Sequence, residues 1–319
     1  MREEIEHIGF SAQTDPMNNV WVSAGTGHPR RVVLVHLDEI GFVTADVRED
    51  GTVWAFPMGN WDPAILKHRV VEIIHPEDSK TRLAYGAVIE VVWNKTADGL
   101  ERILLDVGAN NRAEASSLGI RPLLPVVLAR ESLSVQGNML ISRALDNRLG
   151  CAVALSLLRQ IAAGALEPSG ETFFVFAAQE EVGFRGTWGL ARRMLNVHLD
   201  AAICVDAFPA LREPGLTAGV QAGAGPVLRA ADLEGFGSQK LRASVQSIAT
   251  KHGVPLQPAF AQGHNQASVF RTVPGIAIDY PMVGLHSAVE GVHVNDVCAM
   301  EDLLRVILKS EGESNEIRN

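Results

Sequence analysis

Two adjacent carboxylates, Glu180 and Glu181, directly follow the apolar run Phe173 to Ala178, which reads as a buried strand. Ionised acids seldom end a core strand without a counter-charge, because removing a carboxylate from water is costly. Three further segments share this layout of an apolar strand ending in a potential metal ligand. Arg31 to Leu37 leads into His36-Leu37-Asp38, Ala201 to Val205 leads into Asp206, and the run Val273 to Ile278 is followed, after a short turn, by Val283-Gly284-Leu285-His286. In an open α/β sheet, ligands collect outside the carboxyl ends of the strands, so these segments would bring His36, the Glu180-Glu181 pair, Asp206 and His286 to one crevice. A fifth segment, Leu145 to Gly150, sets Asp146 just before the helical pattern Cys151 to Ala163. Alone, Asp146 reads as a helix N-cap. Beside the other four segments it reads as a bridge between two metal ions.

Charge arithmetic supports a pair of cations. Asp146, Glu181 and Asp206 bring −3 and neutral His36 and His286 bring none, so two divalent ions and one hydroxide balance. Glu180 then stands outside the coordination set, free to act as general base and afterwards as general acid. Mixed nitrogen and oxygen ligands suit zinc, cobalt or manganese better than calcium or magnesium. Asp38 lies two residues beyond His36, on the same strand face, where a carboxylate can orient the site.

The ordered set His36-x-Asp38, Asp146-Asn147-Arg148, Glu180-Glu181-Val182-Gly183, Asp206 and His286-Ser287-Ala288-Val289-Glu290 resembles the glutamyl aminopeptidase family of co-catalytic metallopeptidases, which includes the tetrahedral aminopeptidases and members labelled cellulase or endoglucanase M. Flanking stretches match as well: Asp38 to Phe42, Gly59-Asn60-Trp61-Asp62 and Val107-Gly108-Ala109. The resemblance spans about Glu4 to Leu308. It implies that His36, Asp146 and Asp206 hold one metal, that Asp146, Glu181 and His286 hold the other, and that Glu180 is the catalytic base, with Asp38 assisting. It further implies short peptides with a free N-terminus as substrates, zinc or cobalt as the metal, and assembly into a homo-oligomer, a dimer or a dodecamer. His293 competes with His286 as ligand, but the family places its ligand at the His of His-Ser.

Composition agrees with an enzyme rather than a nucleic-acid or membrane protein. The chain has 319 residues, 47% of them hydrophobic, and a formal net charge of −9, so no basic footprint exists for nucleic acid or anionic lipid. The start, Met1 to His7, has no apolar core of signal-peptide type, and no run approaches the length of a membrane span. Cys151, Cys204 and Cys298 show no paired spacing and read as reduced core thiols, which points to the cytoplasm.

The texture of the chain changes twice. Short β-like runs, Val70 to Ile74, Ala87 to Trp93, Arg102 to Val107 and Leu123 to Leu128, dominate residues 42–136. From Asn147 onward, helices and strands alternate, as in a mostly parallel sheet covered on both faces. The expectation is an α/β catalytic domain, residues 1–41 and 137–319, with its mostly parallel sheet sandwiched by helices and interrupted by a β-rich domain, residues 42–136; the resemblance implies that the catalytic domain is of zinc-exopeptidase type and that the insert is a small β-barrel used for subunit contacts. Gly215 to Gly225 reads as a Gly-rich connection.

Three rival functions remain at this stage. A glycosidase needs two carboxyl groups facing each other across a sugar bond, and neighbouring side chains on an extended chain diverge. A deacylase or carboxypeptidase of related fold would use a similar metal set. A catalytically silent relative is the third. Where the family usually shows Gly-Thr-Asp-Ala at a substrate-facing position, this chain has Gly263-His264-Asn265-Gln266-Ala267, and no acid occurs between Gly235 and Ile278. That stretch carries Lys240, Arg242, Lys251 and Arg271, which predicts a pocket favouring acidic or neutral first residues. A second departure lies at the start: the family usually opens with an additional helix before the segment matching Glu3 to Phe10, and either that helix is absent or the start is truncated, which bears on subunit packing.

Overall fold

The protein is described here by a computed structural model covering residues 1–78, 80–97, 99–129, 134–210, 219–233, 235–261 and 263–310. The chain opens with helix α1 (Arg2–Ile8) and strands β1 (Gln13–Thr14), β2 (Val20–Ala24) and β3 (Arg30–His36). It then leaves the large sheet for β4 (Gly41–Val47), β5 (Val53–Met58), β6 (Val70–Ile74), β7 (Arg82–Trp93), β8 (Leu100–Asp106), helix α2 (Arg112–Ser117) and β9 (Pro125–Leu128). It returns through β10 (Ser134–Gln136) and β11 (Met139–Ser142) to helix α3 (Leu145–Ala162), β12 (Glu171–Ala177), α4 (Arg185–Arg193) and β13 (Ala201–Pro209). The remainder is β14 (Val227–Asp232), β15 (Gly235–Phe236), α5 (Gln239–His252), β16 (Gln257–Phe260), β17 (Gly275–Val283), β18 (Glu290–His293) and α6 (Val294–Lys309).

The large sheet is a mixed one. Its centre, β12-β3-β13-β17, is parallel, and antiparallel strands extend it at both edges through β2 and β1 and through β18, β11 and β10. The central strands read as unbroken apolar runs because both faces are buried. On one face Val33, Val35, Phe174, Phe176, Ile203, Val205, Ile276 and Ile278 pack against apolar residues of α1, α3, α5 and α6. On the other, Val32, Leu34, Val175, Ala177, Ala202, Cys204 and Ala277 meet Leu190 of α4 and the 3-10 turn Gln266–Val269. Strand alternation continues this second face to His36 and Asp206. The apolar run that begins at Val273 enters strand β17 at Gly275 and continues in it to Val283 with no turn after Ile278, so the turn lies later, at Gly284 to Val289.

Strands β4 to β9 close into a six-stranded barrel in the order β4-β5-β8-β7-β6-β9. Alternating inward residues, among them Phe42, Val53, Ala55, Val71, Ile73, Ile103, Leu105, Val126 and Leu128, fill it. The barrel ends at Leu128, and β10 already pairs with β11 of the large sheet, so the crossing back lies before residue 136. Trp61 stacks on Phe42 at 4.7 Å and its indole donates to the Gly41 carbonyl at 3.0 Å. Gly59 adopts φ +87°, and a Cβ there would meet Ile40 at 2.3 Å, so this turn requires glycine to seat the barrel beside β3. Among the described residues, no helix is long and apolar enough to cross a membrane. Cys151 and Cys204 are buried thiols, whereas Cys298 is exposed on α6, because its position falls on the outward side of that helix. The Gly215 to Gly225 connection lies partly outside the described residues.

Candidate metal centre

Parallel pairing sets the site's frame. Leu34 of β3 faces Cys204 of β13 and His36 faces Ala177 of β12, so His36, Asp206 and the start of the Glu180 turn emerge at one level. His36 Nε2 lies 3.0 Å from Asp146 Oδ1, 3.6 Å from Asp206 Oδ1 and 3.9 Å from Glu180 Oε2. His286 Nε2 lies 3.4 Å from Asp146 Oδ2 and 3.4 Å from Glu181 Oε1. The structure therefore brings together all five expected ligands and Glu180. Within them, His36-Asp146-Asp206 and Asp146-Glu181-His286 form compact groups, as does His36-Glu180-Glu181. His293 is not part of the cluster: it caps α6, its Nδ1 accepting from the Asn295 amide at 3.1 Å.

Local backbone explains the placement. Asp146 does not cap α3: Asn147 does, accepting the Gly150 amide at 3.1 Å while its own amide group donates to the Val205 carbonyl at 2.6 Å. A Cβ at residue 150 would meet Asn147 Oδ1 at 2.1 Å, so the cap needs Gly150. Asp146 is thereby released toward the cluster. Ala144, Gln179 and His286, each at or beside a ligand, take left-handed backbone angles of φ 57°, 57° and 58°, a conformation that costs a non-glycine residue about 1–2 kcal/mol. Two carboxylates hold these turns. Asp38 accepts the Glu180 amide at 2.9 Å and the Glu181 amide at 3.1 Å. Glu290 accepts the Asp146 amide and the His286 amide, both at 3.1 Å.

Asp38 thus works differently from the expected face-sharing with His36. Its backbone carbonyl, 3.0 Å from His36 Nδ1, fixes the ring with Nε2 toward the cluster, and its carboxylate turns to the glutamates. Asn19, which the sequence reading passed over, braces the same turn: its side chain accepts from the Ala178 amide at 2.9 Å and donates to the Gly186 carbonyl at 2.8 Å. A buried Asn directly before an apolar strand was the available signal. Glu290 stood in the quoted motif without a role.

The electrostatics are those of a cavity short of positive charge. Among the described residues, the ion-pair partners of Asp146, Glu180, Glu181 and Asp206 are imidazoles. Burial would lower the His286 imidazole, but hydrogen bonds to Asp146 and Glu181 outweigh it and raise it to about 11. His36 is likewise raised against its own burial, by Glu180, Asp146 and Asp206. Burial pushes the Glu180 carboxyl well above its usual range, and Asp206, Glu181 and Asp146 push it further against the pull of His36. Burial acts on Asp146 too, yet hydrogen bonds with His286 and His36 hold it below the usual carboxylate range. Protons on the imidazoles supply the charge that divalent cations would supply, and the nitrogen and oxygen donor set fits such cations.

The wall of the site is shared. Trp61 and Leu128 of the barrel and Ile40 line a cleft with Asp146, Glu181, His286 and Glu290. Arg143 donates to the Leu128 carbonyl and pairs with Glu39 at 3.0 Å, which also receives Arg148 at 3.1 Å. Gln266 is fully buried, accepting from Thr187 at 2.7 Å. The four cations expected to gather there do not: Lys240 and Lys251 are exposed on α5, Arg242 donates to the Ala230 carbonyl, and Arg271 lies over Trp188. Acids absent from that stretch of sequence arrive from outside it, with Asp232 accepting from Asn265 and Asp279 pairing with buried Arg229 at 2.8 Å. Of the four, Arg271 borders a cleft that Arg229, Asp232 and Asn265 also line.

The sequence profile of the M42 glutamyl aminopeptidase family matches residues 18–303. The chain is 26% identical over 335 aligned positions to a glutamyl aminopeptidase of Lactococcus lactis subsp. cremoris, covering 100% of this chain and 92% of that protein. It is 24% identical to a lysyl aminopeptidase of Pyrococcus furiosus, covering 96% and 88%. Among solved structures, the Pyrococcus horikoshii TET1 peptidase, described as assembling into a tetrahedron or a large octahedral shell, superposes with a TM-score of 0.83 at 28% identity, covering 96% of this chain and 92% of that one.

Proposed function

Because the chain belongs to the M42 glutamyl aminopeptidase family, whose members hydrolyse peptide bonds, we propose that it removes N-terminal residues from short peptides with two divalent metal ions, zinc or cobalt, and with Glu180 as general base. In this reading His36, Asp146 and Asp206 hold one ion and Asp146, Glu181 and His286 hold the other. The observation that carries it is the posture of Asp146, one oxygen toward His36 and the other toward His286, so a single carboxylate stands between two ligand groups. When bound, such ions polarise a scissile carbonyl and acidify a water molecule.

The residues of the chain do the rest. Glu180, buried beside the two ligand groups, is placed to take a proton from a water molecule and return it to the leaving amine. Asp38 positions it by holding two successive amides, so that the base and the ligand Glu181 turn together. The barrel wall at Trp61 and Leu128 narrows the approach from solvent. A homo-oligomer, dimer or dodecamer, in the cytoplasm belongs to the same reading, supported by the assembly described for the Pyrococcus horikoshii relative. The test is release of amino acids from aminoacyl chromogenic substrates and short peptides, with added zinc or cobalt and after chelation. Metal-dependent cleavage confined to free amino termini is expected. Cleavage at blocked termini, or none with metal demonstrably bound, would move the activity to the deacylase or silent readings.

A further inference from the structure

Glu290 lies 144 residues from Asp146 and four from His286, is 3% exposed, and spends both carboxylate oxygens on backbone rather than on solvent or a basic side chain. Oε2 accepts the Asp146 amide and Oε1 the His286 amide. The two segments it joins need holding. His286 sits at φ 58° and Ala144, two residues before Asp146, at φ 57°, and neither conformation is favoured by the residue itself. Charge-assisted hydrogen bonds to a buried carboxylate are stronger than neutral ones, and a carboxylate offers two acceptors at a fixed separation. We infer that Glu290 is a positioning residue that sets the spacing of Asp146 and His286, and so shapes the ligand group Asp146-Glu181-His286. The group His36-Asp146-Asp206 depends on it less, since His36 and Asp206 are carried by the paired strands β3 and β13.

This inference rests on the dinuclear reading, and metal titration separates the two. The chelated wild-type protein, in its native assembly, is titrated with cobalt or zinc by calorimetry, alongside Glu290→Gln and Glu290→Asp, with circular dichroism to confirm folding. Gln keeps the shape but leaves one amide facing a donor, and Asp keeps the charge but withdraws it by one methylene. Wild type is expected to bind two equivalents. Fewer would remove the dinuclear reading and this inference with it. In both variants one equivalent is expected to weaken by about 10- to 100-fold, the range seen when groups that hold metal ligands are removed, while the other changes less. Two equivalents at wild-type affinity in folded variants would overturn the role, as would equal loss of both. Failure of both variants to fold would mark Glu290 as a general packing residue and would count equally against it.

Discussion

Replacing Asp38 with asparagine separates holding the catalytic turn from binding metal. The carboxylate accepts two amides, at 2.9 and 3.1 Å, from the two residues proposed to do the chemistry and to bind an ion. Asparagine retains one acceptor and turns an amino group toward the other N–H. A hydrogen bond to a charged group contributes about 1.5–3 kcal/mol. The Asp38 side chain is 26% exposed, so water recovers part of that loss, and about 1–2 kcal/mol remains as the penalty on the Glu180 position. At 1.36 kcal/mol per decade this is a fall of about 5- to 30-fold in kcat. His36 keeps its bond to the Asp38 carbonyl, which the substitution leaves in place, so metal content is expected to stay at the wild-type level. Steady-state kinetics on a chromogenic aminoacyl substrate, with metal quantified in the same samples, gives both numbers. An unchanged kcat would refute the clamp, and loss of metal in step with kcat would show that Asp38 acts by placing the ligand Glu181, whose amide it also holds, rather than Glu180.

Glu180→Gln is expected to lower turnover by about 10²- to 10⁴-fold with both metals retained, and a near-normal rate would reassign the base. Chelated protein should lose stability as pH rises. Raised pKa values on His36 and His286 mean that their stabilising contribution is complete below 6.5 and fades as pH rises, that of His286 toward about 11, and the raised Glu180 acts with the same sign. Urea midpoints measured across that window test this, and a rising midpoint would contradict it. Arg229→Met strands buried Asp279, already pushed up to about 7 by burial with Arg229 opposing. Denaturant titration should show a loss of about 3–5 kcal/mol at alkaline pH, smaller at acidic pH where Asp279 takes a proton.

Much of the site was legible because it sits where strands end. His36, Asp206 and the Glu180-Glu181 pair each follow an apolar run, and a parallel sheet leaves its strand ends at one edge, so periodicity alone brought them together. Asp146 was harder: an acid before a helix is an ordinary cap, and only the structure gives that task to Asn147. The roles of Asp38 and Glu290 were hidden because both act on backbone amides, which no side-chain pattern records. The charge around the Gly263 to Ala267 segment was hard to read for a related reason. An acid-free stretch of sequence says nothing about strands that pass beside it, and Asp232 and Asp279 arrive from β14 and β17. The barrel was visible as a run of short strands, but its end was set too late, since β10 is a short polar hairpin arm of the large sheet.

The clustered side chains are scattered along the chain from residue 36 to residue 286, with the whole barrel inserted between the first and the second. A nascent chain can close the barrel on local contacts while the sheet still lacks β12, β13 and β17. It cannot assemble the Asp146-Glu181-His286 corner until the turn carrying His286 has left the ribosome and Glu290 has followed it. Long-range closure of this kind makes the segment from His286 to Glu290 the gate for the entire cluster. In this order the corner is completed only once the turn carrying His286 has joined strands β3, β12 and β13.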